Sequence, residues 1–189
     1  QAEYPSVPLH TMVADVSSEN DCRRFMETTI KVFGGIDILI NNAGVYLPGN
    51  TVDEPENNLE LMMNTNLYSA YHLTRKLVPH MIKNGGGHIF NMCSIASLHA
   101  YDGGGGYSIS KYALNGFSQN LRHELRSTGI KVTAVFPGAV FTDSWGNFDN
   151  SNGRIMESED IAAMVYAASN LSQQAVVEEI VVRPQLGDL

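Results

Sequence analysis

An α/β doubly wound parallel sheet is the fold this sequence predicts, on three observations. Short apolar runs alternate with amphipathic stretches along the chain, the pattern of strands laid side by side with helices between them. One run, 36–40, is apolar apart from Asp37, as suits a strand buried on both faces of a parallel sheet. The residues of unusual type fall just after apolar runs: Asp15, Asn41-Asn42-Ala43-Gly44, Ser94 and Pro137-Gly138. In such sheets a ligand lies beyond the carboxyl ends of the strands.

Taken in order, residues 9–14 read as a strand. Ser17 or Ser18 can cap a helix over 19–33, with Cys22, Phe25, Met26, Ile30 and Phe33 on one face and Gly34 as its stop. The 36–40 strand leads into a polar loop rich in Gly, Pro and Asn. A long helical pattern covers 56–83 and closes at Gly85-Gly86-Gly87. Asn64 and Asn66 weaken its middle, since Asn is a mediocre helix former, and a carbonyl freed at such a kink can hold a water. A strand at 88–93 precedes a loop at 95–106, and a helix at 107–127 ends at Gly129. A strand at 130–136, a long loop at 137–153, a helix at 158–169 and a strand at 176–182 complete the chain. Long loops in compact domains are often functional.

The chain has 189 residues, which fits a single domain, 1–189, with a real core. Its formal net charge of −8 argues against nucleic-acid and anionic-membrane partners, which attract basic surfaces. No apolar run approaches the roughly 20 residues that span a bilayer. Residues 1–8 lack the basic-then-apolar order of a secretory leader. The two cysteines, Cys22 and Cys93, form no CxxC. Free thiols in a reducing compartment are the simpler reading, so the cytoplasm is expected, with Cys93 a small core residue. The six histidines show no metal-ligand spacing, and no metal is expected.

Tyr107 and Lys111 carry the first chemical signal. On a helix, four residues turn about 400° and rise about 6 Å, so the two share a face. A free tyrosine, with a pKa of about 10, is a poor acid or base at neutral pH. A nearby ammonium favours the phenolate, and a phenol so tuned can pass a proton to a carbonyl oxygen that is receiving hydride. Alone, the spacing is equally that of an exposed surface pair. Ser94, 13 residues earlier at the end of an apolar strand, could hold a substrate oxygen against the phenol, or simply end its strand. The small residues of Asn42-Ala43-Gly44 admit a ligand close to the backbone, or form an ordinary turn. Pro-Gly at 137–138 is likewise a common turn pair.

In this order and spacing, from about residue 9 to residue 143, these features resemble the short-chain dehydrogenase/reductase family. The resemblance implies a Rossmann-like fold and a nicotinamide-dependent oxidoreductase acting on carbonyls and secondary alcohols. It implies a catalytic set of Asn66, Ser94, Tyr107 and Lys111. Tyr107 would donate or accept the proton. Lys111 would lower its pKa, hold the nicotinamide ribose and join a proton relay through a water on the Asn66 backbone. Ser94 would position the substrate. By position, Asp15 and Val16 resemble adenine contacts, and Asn42, Ala43 and Gly44 line the adenosine side. The loop carrying Pro137, Gly138, Val140 and Thr142 resembles the one beside the nicotinamide. The helices 56–83 and 107–127 correspond to those that pair relatives into homodimers or homotetramers.

The family also opens with a strand, a glycine-rich turn (TGxxxGxG) and a helix, then a second strand–helix unit, none of which occurs in this sequence. Two strand–helix units are therefore expected to be absent from the sheet. Gly103 to Gly106 do not follow a strand as the dinucleotide fingerprint requires. In the usual strand order, 9–14 would then lack sheet neighbours for its backbone groups. The residue that chooses between NAD and NADP lies at the end of the second strand, and NADP(H) is expected over NAD(H) on the ground that a reductive role is expected. Substrate recognition falls to 95–106 and 141–154, with Trp145 packing on substrate or on protein. The four glycines before Tyr107 indicate a mobile loop or a close backbone approach. The stretch PGAVFTDSWG and the tail 177–188 are similar to those of bacterial sepiapterin reductases. A 3-oxoacyl-carrier-protein reductase is the alternative enzyme, and a non-catalytic binding protein or inactive fragment the alternative of another class.

Overall fold

Ser18 opens the first helix by accepting the Asp21 N–H on its hydroxyl at 3.3 Å. In the computed structural model, which describes residues 7–189, this helix, α1, is Glu19–Phe33 and stops at Gly34 in the left-handed region (φ 79°), which glycine enters without a Cβ penalty. Most of residues 1–8, read above as no leader, lie outside the described residues. The strands are β1, Ile38–Asn41; β2, Gly87–Met92; β3, Ile130–Pro137; and β4, Glu179–Val182. They form one parallel sheet in the order β1-β2-β3-β4. The connecting helices are α2, Asn57–Met63; α3, Ser69–Lys83; α4, Gly105–Leu125; and α5, Ser158–Ser169.

Alternate strand residues point to opposite faces, and two cores follow. On one face Leu39, Ile89, Ile130 and Val132 meet Leu77 and Met81 of α3 and Leu121 and Leu125 of α4. Fully burying each such side chain is worth about 1.5–3 kcal/mol. The α1 helix leans on the same layer through Met26 and Ile30, and Lys76 pairs with Glu19 at 3.0 Å. On the other face Phe90, Val135 and Ile180 meet Ile161 and Ala168 of α5.

Three expectations are corrected. Residues 9–14 are not a strand: they join no ladder, Val13 is 94 % exposed, and β1 is the sheet's edge among the described residues. Without a neighbouring strand, a ladder has nothing to pair with. The 36–40 run is not buried on both faces. Leu39 is buried, whereas Ile38 and Ile40 are 46 % and 48 % exposed, because the α5 core on their face takes in β2, β3 and β4 but not β1. The single helix over 56–83 is two α-helices joined by a π turn at Asn64–Tyr68, where the two asparagines weaken it. There the Ser69 N–H reaches back to Asn64 O and the Ser69 hydroxyl donates to Thr65 O at 2.6 Å.

Candidate active site

The parallel order places three loops side by side at the carboxyl ends of β1, β2 and β3: Asn42-Ala43-Gly44, Ser94 and Gly138. Asn41, just before the first, is buried and donates to Asn91 Oδ1 at 2.7 Å and Thr74 Oγ1 at 3.2 Å. The Asn91 amide in turn donates to Ser118 Oγ at 2.8 Å. This polar lattice ties the end of β1 to β2, α3 and α4.

Asn66 lies within the π turn and is 2 % exposed. Its Oδ1 accepts the Val45 N–H at 2.7 Å, and its amide donates to Val45 O at 3.0 Å and Ser110 Oγ at 2.9 Å. The Ser110 hydroxyl in turn donates a hydrogen bond to Tyr107 O at 2.7 Å. The π turn thus ties the loop after β1 to the main chain of Tyr107, which sits in the first turn of α4 because that helix starts two residues earlier than expected, at Gly105.

Lys111, one turn on, is 5 % exposed and donates to Met92 O at 2.7 Å, with its ammonium 5.8 Å from the Tyr107 ring centre. Burial brings its pKa down to about 8. Ser94 starts a short 3₁₀ turn at Ile95–Ser97, and its oxygen accepts the Ala96 N–H at 3.2 Å, which leaves its proton free to donate. The Tyr107 phenol is held above the ordinary tyrosine value, chiefly by burial, with the Ser94 hydroxyl acting in the opposite sense. This departs from the expected lowering by Lys111. Desolvation penalises the phenolate, and the ammonium is turned to the Met92 carbonyl.

Of the expected cofactor contacts, Val16, Asn42 and Ala43 line one cavity of about 220 Å³ together with Cys22, Leu39 and Leu73. Asp15 stands next to it, its carboxylate accepting the Ser17 N–H at 2.9 Å and the Ser17 hydroxyl at 2.7 Å. A Cβ on Gly44 would stand 3.2 Å from Asn66 Oδ1 and 3.5 Å from Lys111 Nζ, so the backbone there hugs the lysine. The second loop is more committed to protein. Gly138 packs against Asp188, Pro184 and Arg183 of the C-terminal segment. Val140 bridges to Met156 and packs on the α5 side of the core, and Thr142 is exposed, hydrogen-bonded to Ser144 at 2.8 Å. Pro137 ends β3, paired with Val182.

The residues present fit the adenosine and nicotinamide-ribose ends of a dinucleotide: a small-residue cavity, a glycine whose backbone lies close against Asn66 and Lys111, and a lysine with unspent N–H groups. The glycine run does not fit a phosphate, because the Gly106 N–H at the start of α4 is already bonded to both carboxylate oxygens of Glu54, at 3.0 and 3.2 Å.

Three residues of this neighbourhood were not singled out from sequence. Tyr46 stands edge-on to Tyr107, ring centres 4.9 Å apart at 76°. Ser110 bridges Asn66 to Tyr107, and Glu54 bonds α4 from 52 residues away. Ser110 could have been found as a small polar residue inside a helix, a type that bonds back to the preceding turn. Tyr46 and Glu54 carry no local signal. Cys93 is 4 % exposed and burial pushes its thiol up to about 11, as befits a core residue. Trp145 packs on Phe148, ring centres 5.1 Å apart.

A profile of the family described as short chain dehydrogenase matches residues 1–153. The chain belongs to that family. This short-chain dehydrogenase is 38 % identical over 180 residues to a sepiapterin reductase of Chlorobaculum tepidum, covering 95 % of this chain and 74 % of that one. Among solved structures it is similar to the closed form of a serine dehydrogenase complexed with NADP+, with TM-score 0.84 and 26 % identity over 93 % of this chain and 76 % of that one. It is similar too to a 7α-hydroxysteroid dehydrogenase complexed with NADH and 7-oxo glycochenodeoxycholic acid, with TM-score 0.82 and 27 % identity over 93 % and 72 % of the two chains. Like its family, this short-chain dehydrogenase is an oxidoreductase acting on CH–OH and C=O groups. No helix among the described residues is long and apolar enough to cross a membrane.

Proposed function

We propose that the full-length protein is an NADP(H)-dependent carbonyl reductase of the sepiapterin-reductase kind, and that Tyr107 is its proton donor. The observation that carries the reading is geometric: the half-buried Tyr107 phenol lies beside the Ser94 hydroxyl, with the Lys111 ammonium 5.8 Å from its ring centre. A reductase uses the neutral phenol as its proton donor, and the Lys111 ammonium is the neighbouring charge that would stabilise the phenolate as that proton leaves. When bound, a reduced nicotinamide supplies the hydride. Tyr107 gives its proton to the substrate oxygen, which the free Ser94 hydroxyl proton holds in line. Lys111 offers its spare N–H groups to ribose hydroxyls beside Gly44, and as an ammonium it steadies the phenolate left behind. Asn66 keeps the loop after β1 and the backbone of Tyr107 in fixed register, and a water on its backbone would feed the proton back. Val16, Asn42 and Ala43, with Asp15 beside them, would hold the adenosine end, and the 137–142 loop would stand beside the nicotinamide.

NADP(H) is preferred over NAD(H) on the reductive direction. The cytoplasm is the proposed location, from two free buried thiols. A homodimer or homotetramer is the proposed assembly, supported by Leu61 and Tyr68 in the α2–α3 segment and Ile109 and Tyr112 on α4, each at least 40 % exposed.

The deciding experiment is turnover of the full-length protein with sepiapterin, diketones and acetoacetyl thioesters, each with NADPH and NADH. Sepiapterin or diketone reduction with NADPH is expected to lead, and preference for the thioester overturns the ranking. Tyr107→Phe is expected to lower kcat by roughly 10²–10⁴-fold with cofactor binding retained. Unchanged turnover in that variant rejects the assigned chemistry.

A further inference from the structure

Helix α4 begins without a cap of its own. Gly104, at the N-cap position, makes no side-chain hydrogen bond, although a helix leaves its first N–H groups without intrahelical partners. The cap comes from elsewhere in the chain. Both oxygens of Glu54 accept the Gly106 N–H, a charge-assisted bond in the orientation the helix dipole favours.

Glu54 is itself held. Its N–H donates to Asn50 O at 2.9 Å, Asn50 Oδ1 accepts the Gly103 N–H at 3.1 Å, and the Gly49 N–H donates to Gly103 O at 3.0 Å. Segments 49–54 and 103–106 are zipped together, and the glycines make this possible. A Cβ on Gly105 would collide with Gly49 O, and one on Gly106 would stand 3.1 Å from Leu59 Cα.

Tyr107 is the next residue after Gly106. On its far side, its carbonyl is held by Ser110, which Asn66 holds in turn. The main chain around the phenol is therefore gripped before and after by side chains from the 54–66 stretch. First turns of helices fray when left uncapped, and a misplacement of about 1 Å at a reacting group can cost about 10²-fold in rate.

We propose that Glu54 is a positioning residue, which fixes the first turn of α4 and through it the height of the Tyr107 hydroxyl over the substrate oxygen. This rests on the role proposed for Tyr107. The test uses the full-length protein with NADPH and a diketone. Glu54→Ala is expected to lower kcat by about 10–100-fold while the KM for NADPH changes less than about twofold, since the adenosine cavity is built by other residues. Glu54→Gln, whose amide oxygen still accepts the Gly106 N–H, is expected to recover to within about threefold of the parent. In a Tyr107→Phe background, Glu54→Ala is expected to cause no further loss, because residues acting as one unit are non-additive. If alanine prevents folding, Glu54→Asp, one methylene shorter with the charge kept, is read the same way. Undiminished kcat in Glu54→Ala, a glutamine variant as slow as alanine, or an equal further loss on top of Tyr107→Phe would each overturn the proposal. Full turnover in Tyr107→Phe alone would instead remove the reading beneath it.

Discussion

His88 shows what burial does to a side chain with a partner, among the described residues, at only one of its two ring nitrogens. It is 4 % exposed, stacked on Phe90 with ring centres 3.9 Å apart. Its Nε2 lies 2.7 Å from Thr133 Oγ1, and Thr133 already donates its proton to Val177 O at 2.6 Å. Nε2 must therefore carry the hydrogen, and Nδ1 is a buried acceptor with no partner. Burial, then the Lys131 charge, lower its pKa to about 4. The unfolded chain, near the ordinary value of 6.5, binds a proton in the window between the two and the folded chain does not. Stability is thus lost as pH falls below about 6.5, by at most about 3 kcal/mol once pH reaches the folded value. Urea midpoints at pH 7 and pH 5 are expected to differ in the parent, and His88→Phe is expected to remove most of that difference. An equal pH dependence in the variant would assign it to other groups. The Tyr107–Lys111 pair teaches a related lesson. Its spacing was legible in sequence, but the direction of the phenol's pKa was not, because desolvation depends on what the fold packs above the ring.

At the scale of elements, the long helical stretch 56–83 was legible as helix, and its weak point as Asn64 and Asn66. The π turn there turns a poor helix former into a bracket. Replacing Asn66 by Ala strands the N–H of Val45 and removes the bond to Ser110, at an expected cost of about 2–3 kcal/mol in urea unfolding. Loss below about 0.5 kcal/mol would mean that water satisfies both groups. The glycine run before α4 was legible as a choice between a mobile loop and a close approach. The close approach is the one realised, since Gly105 and Gly106 pack under Gly49 and Leu59. Nothing near 103–106 in the sequence announces that contact, because its other half lies some fifty residues upstream.

Among the described residues the sheet is covered along one face by helices, and on the other by α5 everywhere but at the β1 edge. The face under α3 and α4 is closed, whereas Ile38 and Ile40 at the β1 edge remain about half exposed. The outer sides of α2–α4 also leave Leu61, Ile109 and Tyr112 open. Sedimentation of the full-length protein is expected to show a dimer or tetramer, and Tyr112→Glu is expected to shift it towards monomer; a parent protein that runs only as monomer removes that assembly. The family, the alternation of strands and helices, and the residue types of the candidate site are legible in the sequence, because periodicity, caps and motif spacing are local properties. That 9–14 forms no strand, that one face of β1 is half exposed, that burial pushes the Tyr107 phenol up, and that Glu54 caps its helix emerge from the folded arrangement. Each of those depends on which distant segment, if any, lies alongside, and burial and hydrogen bonding across such distances leave no trace in a local stretch of sequence.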